Sequence, residues 1–121
     1  MRMVFAALVI LALPSTALAG DYTCTSNRIE KSGSTWGAYV DTGGDWRIEK
    51  SSSTIGYAKK ANSDWRIETS GGSTLGYLKS DRIESSGGST IGSLSDARSF
   101  ASNCSDAVAV ALWILNKEGK L

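Results

Sequence analysis

Between residues 27 and 94, apolar and polar positions alternate with the two-residue period of a half-buried strand, interrupted at short intervals by Ser/Gly-rich turn formers. This pattern repeats. The tripeptide Arg-Ile-Glu begins at Arg28, Arg47, Arg66 and Arg82, at intervals of 19, 19 and 16 residues. Each copy is followed by Ser-Thr-apolar-Gly, ending at Gly37, Gly56, Gly76 and Gly92. A fixed short period is the signature of a repeat architecture. Each unit reads as a β-hairpin: Trp46-Arg47-Ile48-Glu49, a turn over Lys50-Ser51-Ser52-Ser53, then Thr54-Ile55-Gly56-Tyr57. Setting Ile48 opposite Ile55 places Trp46 opposite Tyr57 and Glu49 opposite Thr54. The third unit gives the same register, with Ile67 facing Leu75 and Trp65 facing Tyr77. In the outer units Asn27 and Asp81 replace the tryptophan, with Ala38 and Ser93 opposite them, as befits terminal repeats.

The expected fold is mainly β: an antiparallel meander of four β-hairpin repeats over 27–94, forming a curled or barrel-like sheet, with one C-terminal helix over 96–118. A parallel β-solenoid is the alternative, but it would stack the arginines about 4.8 Å apart, and like charges directly opposite are destabilising. In a meander an uncharged Ser-Thr-x-Gly strand separates them. The helix assignment rests on the alanine-rich run from Ala107 to Leu115, introduced by Ser105-Asp106 as N-cap and first-turn acid. Its role would be to cover an apolar sheet face made by Trp46, Ile48, Ile55, Tyr57, Trp65, Ile67, Leu75 and Tyr77.

Residues 1–19 read as a signal peptide: Arg2, an apolar run from Val4 to Leu13, Pro14, and the small-x-small site Ala17-Leu18-Ala19. The run is too short to span a bilayer as a helix, so no stable membrane insertion is expected. Cleavage leaves a single domain over 20–121. Two cysteines, Cys24 and Cys104, flank the repeats, and in an exported chain they are expected to form one disulfide. Because a disulfide needs α-carbons within about 7 Å, that bond requires either a curled sheet or a segment after Leu94 that crosses back over one face. The expected location is periplasmic or extracellular.

Twelve acids against twelve basic residues remain after Arg2 is removed, so no general electrostatic pull toward nucleic acid is expected. The chain has no histidine, and neither a catalytic triad nor a metal-ligand set can be assembled. No cofactor is expected. Glu30, Glu49, Glu68 and Glu84 each follow an arginine by two positions, which favours the ionised carboxylate over the raised pKa of a general acid. The protein is therefore expected not to be an enzyme.

The repeats resemble bacterial secreted short-repeat proteins carrying a Ser-Gly-x-Thr-Ile-Gly element, here Ser32 to Gly37, Ser70 to Gly76 and Ser86 to Gly92. The resemblance covers about two-thirds of the mature chain and implies a secreted repeat protein without an assigned activity. The period also resembles that of curli-type fibre subunits, from which this chain departs in having no glutamine. The expected function is a non-catalytic structural or binding protein of the bacterial envelope or extracellular matrix. Its partner would be a glycan, an envelope protein or another copy of itself, met by Arg47, Glu49, Thr54, Arg66, Glu68 and Thr74. A small periplasmic hydrolase inhibitor is the alternative. Ice binding through one threonine per unit is a more remote one.

Overall fold

The computed structural model describes residues 21–121, so the expected signal peptide lies outside the described residues. Ten strands form one sheet: β1 (Tyr22–Thr25), β2 (Arg28–Lys31), β3 (Ser34–Asp41), β4 (Trp46–Lys50), β5 (Ser53–Ala61), β6 (Asp64–Thr69), β7 (Thr74–Lys79), β8 (Arg82–Ser85), β9 (Thr90–Ser93) and β10 (Ala101–Ser102). From β1 to β9 the chain is a continuous antiparallel meander, and β10 adds in parallel beside β1. Arg-Ile-Glu strands therefore alternate with Ser-Thr-x-Gly strands, which is the meander and not the solenoid.

The register departs from the expected one. Glu49 does face Thr54, but Ile48 faces Gly56, Arg47 faces Tyr57 and Trp46 faces Ala58, because the ladder shifts at Ile55. The same irregularity recurs in every unit, at Trp36, Leu75 and Ile91. A bulge inserts one residue, and with a side-chain period of two it exchanges the faces of everything beyond it. Tyr57 and Tyr77 therefore leave the apolar face assigned to them and join the arginines. The inner face keeps Ile29, Ile48, Ala58, Ile67, Leu78 and Ile83, all buried, with Trp46, Ile55, Trp65 and Leu75 packed half-buried against them. The bulge also explains the glycine of the motif. A Cβ on Gly56 would stand 3.1 Å from the Leu115 methyls and 2.9 Å from the Glu68 carbonyl oxygen, and one on Gly76 would stand 2.5 Å from the Glu84 carbonyl oxygen.

The C-terminal region is two helices rather than one: α1 (Leu94–Phe100) and α2 (Asp106–Lys117), separated by β10. Ser93 opens α1 with a capping box to Asp96. Ala101 and Ser102 pair with Tyr22 and Thr23, and Asn103 turns the chain with φ 60° before Ser105 caps α2. Extension as one helix would forfeit those strand bonds and pull Cys104 away from Cys24. The disulfide between them is formed, with Cα atoms 4.9 Å apart across 80 residues of sequence.

The connections define the shape. A seven-residue helix rises about 10 Å, yet α1 leads from β9 at one edge of the sheet to β10 at the other. Ten flat strands would hold those edges about 43 Å apart. The sheet is therefore curled so far that α1 bridges the gap between its edges, although β9 and β10 do not pair. Inside the curl lies α2. Residues Ala107 to Leu112, Ile114 and Leu115 are all buried, around the whole circumference of the helix, against β4 to β7, β10 and α1. The inner face is thereby filled, and the polar face turns outward.

Candidate functional site

The outer face is built from cross-strand rungs. Arg47 faces Tyr57, Tyr57 faces Glu68, and Glu68 faces Thr74. One repeat on, Arg66 faces Tyr77, Tyr77 faces Glu84, and Glu84 faces Thr90. One repeat earlier the rung reads Arg28, Ala38, Glu49 and Thr54. The bulges stagger the rungs, so each Arg-Ile-Glu strand contributes its arginine to one rung and its glutamate to the preceding one. All six residues expected from sequence lie on this face, but no rung holds them as one group. Arg47, Glu68 and Thr74 share a rung, Glu49 and Thr54 belong to the one before, and Arg66 to the one after.

Within each strand the arginine and glutamate side chains lie side by side, two positions apart on one face. Arg47 Nε donates to Glu49 Oε2 at 2.7 Å, Arg66 Nε to Glu68 Oε2 at 2.6 Å, and Arg82 Nε to Glu84 Oε2 at 2.7 Å. Arg28 Nη2 reaches Glu30 Oε2 at 3.0 Å. The two later units add a lysine: Lys59 stands 3.4 Å from Glu68 Oε1 and Lys79 stands 3.7 Å from Glu84 Oε1. Those ammonium groups also lie 5.0 and 5.1 Å from the ring centroids of Tyr57 and Tyr77, in cation–π range. Glu68 and Glu84 are only 5% and 7% exposed. The hydrogen bond from Arg82, opposed by desolvation, holds the Glu84 carboxyl below the usual glutamate range. The Glu68 carboxylate raises the Arg66 guanidinium above its ordinary value. Charges fixed in this way form a preorganised array of donors and acceptors.

Sequence reasoning missed Tyr57, Lys59, Tyr77 and Lys79 as members of this face. The available signal was Tyr-x-Lys in two successive units, whose spacing puts ring and ammonium on the same side. Strict alternation across the unit hides it, because without the bulge both tyrosines fall on the apolar face.

A shallow cavity of about 360 Å³ opens on the earliest of these rungs, lined by Arg28, Thr35, Ala38, Glu49, Ser51 and Ser52, among others. Among the described residues, no group of three or more His, Cys, Asp or Glu side chains is placed to hold a metal ion. No helix of the described residues is long and apolar enough to cross a membrane. The chain matches no protein-family model, no curated protein and no solved structure.

Proposed function

We propose that the protein is a non-catalytic exported binding module whose outer sheet face engages an extended glycan of the bacterial envelope or matrix. The observation that carries this reading is the repeated rung of arginine, tyrosine, glutamate and threonine, side by side and uncovered by either helix. Guanidinium groups, phenols and threonine hydroxyls recur there, held in place by the buried carboxylates, which suits a polymer that repeats its own hydroxyls. The binding role is favoured over a fibre-forming one by the sheet edges. One edge strand, β10, is two residues long, and the other, β9, is four residues long and bulged. Short and irregular edges are poor templates for edge-to-edge assembly.

A glycan array probed with the parent and with the double variant Arg47→Ala plus Arg66→Ala tests this reading. The parent should bind one class of glycan. The double variant should stay folded and bind at least tenfold more weakly, with a melting temperature below the parent's, because loss of Arg66 leaves the buried Glu68 carboxylate with Lys59 alone. A folded double variant that binds as the parent does, or a parent that binds no glycan, contradicts it.

A further inference from the structure

The cavity on the earliest of these rungs has an internal template. Tyr57 stands between Arg47 and Glu68, and Tyr77 stands between Arg66 and Glu84. Ala38 occupies the equivalent position between Arg28 and Glu49, on the same face and in the same register. Twice, then, this fold fills the space between arginine and glutamate with a phenol ring, and once it leaves that space open. The opening is the cavity of about 360 Å³ whose lining includes Arg28, Ala38 and Glu49, at the small end of the range for ligand pockets.

We infer that this cavity is a binding site for a phenol ring, the group that a tyrosine side chain carries. The walls supply what such a ring needs. Arg28 is held by Glu30 and presents a guanidinium that can lie against a π-face. Glu49 is fixed by Arg47 and can accept a hydrogen bond from a phenolic hydroxyl. The position two residues beyond Ala38 is Val40, where the filled sites have Lys59 and Lys79. The lysine that lies over the phenol ring in the filled sites is therefore absent from this one, and Trp36, whose ring centroid is 5.2 Å from the Lys50 ammonium, adds an aromatic side chain to the lining. The exposed Ser51 and Ser52, both with positive φ, form the rim. The inference does not depend on what the central rungs bind.

p-Cresol, which is the tyrosine side chain as a free molecule, is the probe. Amide shifts of the ¹⁵N-labelled parent should move saturably at Arg28, Ala38 and Glu49, and methyl glucoside at the same concentration should leave them unmoved. The variant Ala38→Tyr should fold and lose those shifts, because its own ring takes the site. Tyr57→Ala should retain the site and gain a second set of shifts, at Arg47 and Glu68. No saturable shift in the parent overturns the inference, as does an equal response in a folded Ala38→Tyr. A response to methyl glucoside in place of p-cresol overturns the aromatic assignment.

Discussion

At the scale of single residues, the outer face is an electrostatic device as much as a surface. Glu84 has its pKa lowered by Arg82, so the folded state holds this proton less tightly than the unfolded chain does. The stability linked to that difference is present above the unfolded value, about 4.3 for glutamate, and is lost as pH falls through the folded one. The melting temperature should therefore drop as the pH is lowered from about 5 toward 3, and Arg82→Ala should flatten that slope. Thermal melts across this range check it, and an equal slope in both proteins would remove Glu84 from the account. Arg98 shifts the opposite way: two hydrogen bonds of 3.0 Å to Asp106 raise its guanidinium above the ordinary value, and this exposed pair joins α1 to the start of α2.

At the scale of elements, the bulge is the decisive device, and it marks where the sequence could be read and where it could not. Alternation in Trp46-Arg47-Ile48-Glu49 gave the strands, and the four-fold repeat gave the meander, because both follow from local periodicity. Ser-Thr-x-Gly is a bulge written in sequence, but a bulge leaves alternation intact on either side and displaces the register between them. That is why Tyr57 and Tyr77 were assigned to the wrong face. The single helix over 96–118 failed for a related reason: Ala101 and Ser102 are recruited by a strand 79 residues earlier, a pairing no local pattern announces. The Ser93–Asp96 capping box at the true start of α1 is a local signal that the expected helix over 96–118 does not use. If the glycine of the motif is required by close approach, Gly76→Ala should cost about 1–3 kcal/mol through overpacking against Ile114 and the Glu84 carbonyl. Chemical denaturation would show this loss, and an unchanged midpoint would argue against the close approach.

At the scale of the whole molecule, one curled sheet has an inner face filled by α2 and a polar outer face. Cys24–Cys104 closes this arrangement by tying β1, next to the β10 edge, to the entrance of α2. Non-reducing mass spectrometry should find the bond within one chain. Replacing both cysteines with serine should lower stability by roughly 3–5 kcal/mol in the chain-entropy account, and a variant as stable as the parent would deny the bond that role. The division into inner and outer faces depends on the curl, since a flat sheet could not join its two edges through a helix as short as α1. Spin labels on a ketone-bearing unnatural amino acid at Thr25 in β1 and Ile91 in β9 leave both cysteines untouched and measure the curl directly. A curled sheet predicts a separation well below about 30 Å, as the rise of α1 requires, whereas a peak near or beyond about 38 Å, the width of eight flat strand spacings, would contradict it.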